Sequence, residues 1–159
     1  MSPYRILVVD DEEDLCEILQ FNLEIEGYVV DVAYSAEEAL KKDLSVYNLL
    51  LLDVMMGEIS GFRMARTVRE DARTEHIPIV FLTAKDSEND RLTGFSLGAD
   101  DYINKPFSIR EVIARIKAVI RRAESSKEKE VESLSYETLE MQLNNKKVLV
   151  DNNEVAFTR

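Results

Sequence analysis

Five short apolar runs recur along the chain: Ile6–Val9, Val29–Ala33, Leu49–Leu52, Ile79–Leu82 and the briefer Tyr102–Ile103. Each is too short for a helix, and Leu49–Leu52 is apolar on both sides. Such runs predict strands of a parallel sheet, buried on both faces. Between them the spacing changes to three and four. Leu15, Ile18, Leu19 and Leu23 fall on one helical face, and Gly27 follows as a stop. Ser35 precedes Ala36–Leu44 with Glu38 three positions on, the pattern of a capping box. Phe62, Ala65 and Val68 continue the helical spacing, while Leu92, Phe95 and Leu97 give a weaker version of it. Ser108 opens a longer helix with apolar Ile109, Val112, Ile113, Ile116 and Ile120.

Strand and helix alternate five times. That order predicts an α/β fold, a parallel five-stranded sheet with helices on both faces. In such sheets functional groups gather beyond the carboxyl ends of the strands. Asp10, Asp11 and Glu12 follow the first run, Asp53 the third, Thr83 the fourth, and Lys105 then Pro106 the fifth. Carboxylates brought this close repel and raise one another's pKa unless a cation sits among them. A hard divalent ion such as Mg²⁺ relieves the repulsion and leaves positions open for phosphate oxygens. Asp11 and Asp53 are the expected direct ligands, Asp10 acts through water, and the backbone carbonyl of Met55 completes the protein's share. An aspartate oxygen beside that ion can attack a phosphoryl group. Such transfer needs positioning and charge neutralisation more than a base. Lys105 offers a point charge and Thr83 a hydroxyl donor. Each piece alone has a bland reading: a turn, a helix cap, a loop lysine. Their joint placement at four strand ends is what discriminates.

Composition narrows the classes further. The net charge is −11, and no basic patch offers the phosphate-neutralising surface that nucleic-acid binding requires. Most of these carboxylates serve solubility. Cys16 is the only cysteine, which rules out an intrachain disulfide or a cysteine zinc site and fits a reducing, cytoplasmic setting. No apolar run reaches the roughly 18 residues of a membrane helix, and Met1–Tyr4 lacks a secretory pattern. His76, the only histidine, lies near Pro78 and reads as a surface loop residue.

The segments RILVVDDEEDL, LLLLDVMMGEISGF, IVFLTAKD and GADDYINKPF together resemble the receiver domain of two-component response regulators, over roughly residues 4–124. The resemblance implies a flavodoxin-like (βα)5 sheet of order 2-1-3-4-5. It also implies Mg²⁺-dependent phosphorylation of Asp53 by a sensor histidine kinase, a regulatory acceptor rather than an enzyme that turns over substrate. Asp10 and Asp11 match the acidic pair, Thr83 the switch hydroxyl and Lys105 the lysine. Tyr102 matches an aromatic that changes rotamer, following Thr83 as the hydroxyl moves toward the phosphoryl group. One position departs: the family's usual proline four residues after the acceptor is Gly57 here, which leaves that loop freer.

The stretch from Asp86 to Arg122 resembles the OmpR/PhoB subfamily. This implies a homodimer through the face of helix 4, strand 5 and helix 5, with Arg91, Asp100, Asp101, Glu111, Arg115 and Lys117 as its charged residues. A linker is expected at 125–133. Residues 134–159 resemble the opening strands of a winged-helix effector domain without its recognition helix. Promoter DNA is therefore a partner only of a longer parent protein. Two other readings compete. A haloacid-dehalogenase-type phosphatase would also combine Asp, Mg²⁺, Thr and Lys, but it needs its nucleophile after the first strand in a DxD pattern, which Asp10-Asp11-Glu12 lacks. A receiver-shaped module unable to accept phosphate would not need Asp11, Asp53, Thr83 and Lys105 together. Neither a GxGxxG nor a P-loop motif occurs.

Overall fold

The computed structural model describes residues 3–56, 58–84 and 88–125. Gly57, Lys85, and the linker and tail beyond Ser125 lie outside the described residues. The chain divides into two compact units, Met1–Ile120 and Arg121–Arg159, and the sheet belongs to the first.

Strands β1 (Arg5–Val9), β2 (Val29–Ala33), β3 (Leu49–Asp53), β4 (Ile79–Thr83) and β5 (Asp101–Asn104) alternate with helices. These are α1 (Glu13–Ile25), α2 (Ala36–Leu40), α3 (Gly61–Glu70) and α4 (Glu88–Ser96). A fifth helix, α5, is described over 109–125. The sheet order is β2-β1-β3-β4-β5 and every pairing is parallel, the flavodoxin-like topology expected from the sequence. Two apolar layers cover the sheet. Cys16, Leu19 and Leu23 of α1 and Val112, Ile116, Val119 and Ile120 of α5 pack on Ile6, Val8, Leu49 and Leu51. On the other face Ala36 and Ala39 of α2 and Met64, Ala65 and Val68 of α3 pack on Leu7, Val9, Leu50, Leu52 and Phe81. Alternate residues of one strand thus serve opposite layers, as the pleat requires.

The element ends carry the corrections. Asp53 and Thr83 are the last residues of β3 and β4 rather than the first after them. Both keep ladder positions, Asp53 opposite Leu82 and Thr83 opposite Asn104, so their backbones are fixed by the sheet. In α1, Ile18 is off the buried face, 47 % exposed, and Cys16 takes the core position instead. The helix ends in a Schellman motif: Tyr28 N–H donates to Leu23 O and Gly27 N–H to Glu24 O, with Gly27 at φ +101°. Ser35 Oγ caps α2 by accepting from Glu38 N–H, but the Glu38 carboxylate reaches back to Tyr34 N–H rather than to Ser35. That helix stops at Leu40, and Leu44 instead begins a short 3-10 turn whose first residue is preceded by Asp43, capping Ser45.

Arg69 is a structural residue with no sequence signal. Its guanidinium donates to the carbonyl oxygens of Leu97, Glu75, Ile77 and Gly98. Burial draws its pKa down, and the negative charge of Asp100 partly offsets this. One side chain thereby ties α3 to the turn before β4 and to the carboxyl end of α4.

Candidate functional site

The site residues arrive at the carboxyl ends of β1, β3, β4 and β5. Continuing β1, Asp10 is fully buried and its backbone N–H donates to Ala33 O. Its Oδ1 accepts from Glu12 N–H at 2.9 Å, which turns the chain into α1. The thiol of Cys16 donates to the Asp10 carbonyl at 3.2 Å; burial pushes that thiol up to about 12, so it serves packing, as expected. Asp11 is exposed. Asp53 is 3 % exposed, and its Oδ1 accepts from Met55 N–H at 3.3 Å. Gly61 has a steric reason to be glycine: a Cβ on it would lie 2.2 Å from the Asp53 carbonyl oxygen. The start of α3 can approach the acceptor strand only without a side chain.

Thr83 is fully buried at the end of β4. Lys105 is held beside it, its backbone N–H donating to Thr83 O at 2.8 Å, and the Lys105–Pro106 peptide is cis. The Lys105 ammonium lies 3.0 Å from Asp10 Oδ2, 3.1 Å from Glu12 Oε1 and 3.7 Å from Asp53 Oδ1. It therefore bonds to the carboxylates after β1 and only neighbours Asp53. Glu12 was legible as the third carboxylate after β1, but nothing in the spacing showed that its side chain would reach Lys105.

Carboxylate oxygens of Asp10, Asp11 and Asp53 lie within 4.8 Å of one another. Burial, then the charge of Asp10, pushes the Asp53 carboxyl up to about 6, against the opposing pull of Lys105. Burial likewise raises Asp10, although the Glu12 N–H and Lys105 hold it down. Lys105 responds in the matching sense: burial lowers its pKa, but the pairing with Asp10, Asp53 and Glu12 outweighs this and the net shift is upward. One lysine does not neutralise three carboxylates. An all-oxygen donor set with this excess charge and one exposed member fits a hard divalent cation that keeps part of its water shell.

The residues expected to switch and to dimerise fall in four places. Tyr102 is buried, 3 % exposed, and packs edge-on against Phe81 at 6.1 Å, with Phe95 at 6.5 Å and the Arg91 guanidinium 5.2 Å above its ring. Asp101 accepts from Arg115 at 3.0 Å, and Arg115 also donates to Glu111 at 3.2 Å. Asp100 is used locally, accepting from Ile79 N–H at the start of β4. Lys117 pairs with Glu26 at the end of α1. His76 is exposed before β4, as expected.

A buried acidic end of a flavodoxin-like sheet with a lysine on it is the arrangement of one large family, and comparison with known proteins agrees. The family model of the response regulator receiver domain matches residues 6–117; the chain belongs to that family. It is 50 % identical over 121 residues to the alkaline phosphatase synthesis transcriptional regulatory protein PhoP of Bacillus subtilis, covering 76 % of this chain and 50 % of PhoP. It is 44 % identical over 120 residues to the phosphate regulon transcriptional regulatory protein PhoB of Rhizobium meliloti, covering 75 % of this chain and 53 % of PhoB. Both relatives belong to the OmpR/PhoB group. The chain spans about half the length of these curated relatives. Among solved structures, the Thermotoga maritima response regulator TrrA, in complex with Mg²⁺ and BeF, superposes with a TM-score of 0.64 at 38 % identity. That match covers 73 % of this chain and 98 % of TrrA.

Proposed function

We propose that Asp53 is the phosphoryl acceptor of a cytoplasmic two-component switch, and that a sensor histidine kinase is its donor. One observation carries this reading: Asp53 is buried beside an acidic pair, yet the nearest cation among the described residues, Lys105, stops 3.7 Å away. Among the described residues the nucleophile thus has no cation at hydrogen-bond distance, in a site where carboxylates are crowded.

Asp11 and Asp53 would hold Mg²⁺ directly, Asp10 through water, and the Met55 carbonyl would complete the set. When bound, the ion neutralises carboxylate charge and phosphoryl oxygens. An Asp53 oxygen forms a bond to phosphorus as the bond from phosphorus to the kinase histidine nitrogen breaks, and that nitrogen keeps the electron pair. Lys105 meets one equatorial oxygen. Thr83 donates its hydroxyl to another, and Tyr102 turns into the space that Thr83 leaves. That TrrA was solved with Mg²⁺ and BeF supports a metal-dependent phosphoryl site.

Output follows from the α4–β5–α5 face. Leu92 and Phe95 of α4 are 61 % and 50 % exposed beside Arg91 and the Asp101–Arg115–Glu111 group, and these residues form the homodimer surface, with Asp100 and Lys117 at its rim. Residues 1–124 act as the receiver, 125–133 as the linker and 134–159 as the start of a winged-helix effector that binds promoter DNA in a longer protein. The names of PhoP and PhoB as transcriptional regulators support this output.

Acetyl phosphate with Mg²⁺ should add one phosphoryl group detectable by mass spectrometry, and Asp53→Ala should abolish it. Labelling that persists in the variant places the acceptor elsewhere. Sedimentation with beryllofluoride should show a dimer; a monomer at tens of micromolar rejects the interface.

A further inference from the structure

The side chain of Glu12 has no structural duty of its own. It occupies the N-cap position of α1, yet it makes no capping hydrogen bond; the carboxylate instead reaches across the site to the Lys105 ammonium at 3.1 Å. Lys105 is attached to β5 and Glu12 to the end of β1, 93 positions apart in sequence. The lysine thus has a choice between two sets of anions. It sits on Asp10 and Glu12, and the Asp53 oxygen at 3.7 Å is beyond hydrogen-bond length.

We infer that Glu12 is a positioning residue that parks Lys105 on the α1 side of the site and competes with the phosphoryl group for it. This rests on the phosphoacceptor reading of Asp53. The energetic argument is a cycle. A phosphoryl group on Asp53 gains the lysine only after the ammonium leaves Glu12. A cation held by Asp11 and Asp53 would share the neutralisation of Asp10 and weaken that tie, which would leave Glu12 as the last competitor. Its side chain is 62 % exposed and that of Lys105 16 %, so the pair is weak, in the range of exposed ion pairs. The competition therefore tunes the stability of the loaded state by a small factor and does not abolish it. Parking has a second effect. It keeps the ammonium from closing onto Asp53, whose carboxylate supplies the nucleophile.

The test is beryllofluoride binding measured calorimetrically at saturating Mg²⁺ on the full chain. Glu12→Gln should tighten binding about two- to five-fold with an unchanged melting temperature, since no cap bond is lost. Glu12→Asp keeps the charge and loses the reach, and should tighten binding similarly. In a Lys105→Met background the same Glu12→Gln change should have no effect, because the gain is carried by the freed lysine. Equal or weaker binding by Glu12→Gln overturns the inference. So does wild-type affinity in Glu12→Asp, or undiminished tightening without Lys105, which would mean simple repulsion between Glu12 and the anion. A wild-type chain that fails to bind beryllofluoride with Mg²⁺ instead removes the phosphoacceptor reading itself.

Discussion

Two ion networks sit on the same sheet a few residues apart, and they are built from the same chemistry for different ends. Around Lys105, Asp10 and Asp53 are buried and the carboxylates outnumber the cation. Around Arg115, Asp101 and Glu111 supply two carboxylates to one guanidinium, with side chains 22–42 % exposed. Water satisfies the second group whatever the pairing, so its geometry is cheap to change. In the first group burial, and for Asp53 then the charge of Asp10, raises the carboxyl pKa values. Burial converts a charge pattern into stored electrostatic energy, which a cation can then release.

That contrast can be broken most sharply at Lys105. Lys105→Met leaves Asp10 and Asp53 facing each other in a buried site and should cost about 3–5 kcal/mol at pH 7, read by urea denaturation without divalent ions. A cost no larger than that of a surface change would mean that water already solvates both carboxylates. Next is Asp53→Asn, which removes one of the repelling charges and keeps an acceptor for Met55 N–H. It should stabilise the metal-free protein by about 1–3 kcal/mol at pH 7 while eliminating phosphoryl loading. Equal or lower stability would deny that the site is strained.

The same strain predicts a pH dependence. The Asp53 carboxyl lies at about 6 when folded against 3.8 when unfolded, so between these values the folded chain holds the extra proton. Stability from this group is complete below pH 3.8, declines as pH rises toward about 6, and is absent above. Without Mg²⁺, the melting temperature of Asp53→Asn should diverge from wild type across this window, the variant being the flatter. Added Mg²⁺ should raise the wild-type melting temperature more at pH 7 than at pH 5. The smallest effect belongs to the surface network. Arg115→Ala should cost no more than about 1 kcal/mol, and its consequence should appear in sedimentation with beryllofluoride rather than in the monomer's stability.

The central strands were legible in the sequence because the runs in β1, β3 and β4 are uniformly apolar and fully buried, whereas the outer β2 carries Asp31 and is only half-buried. The last residues of β3 and β4 were not, for the same reason: Asp53 and Thr83 are polar, and only the ladder shows that they still pair. In α1 the apolar residues Leu15, Cys16, Ile18, Leu19, Phe21, Leu23 and Ile25 surround much of the helix, so spacing alone could not choose between Ile18 and Cys16 for the core. The meeting of Asp10, Asp11, Asp53 and Lys105 was legible because topology dictates it. The reach of Lys105 toward Glu12 was not, since it depends on side-chain torsions at two loops. Arg69 was invisible altogether: its partners are backbone carbonyls, which carry no letter in the sequence.

Arg69 has a mechanical consequence. Four bonds from one guanidinium grip residues 75, 77, 97 and 98, so the carboxyl end of α4 shares an anchor with α3. A displacement of α4 that preserves those bonds must swing about residues 97–98. The excursion then grows with distance from that fulcrum and is greatest at the end that follows Thr83, which makes the helix a lever driven from its long arm.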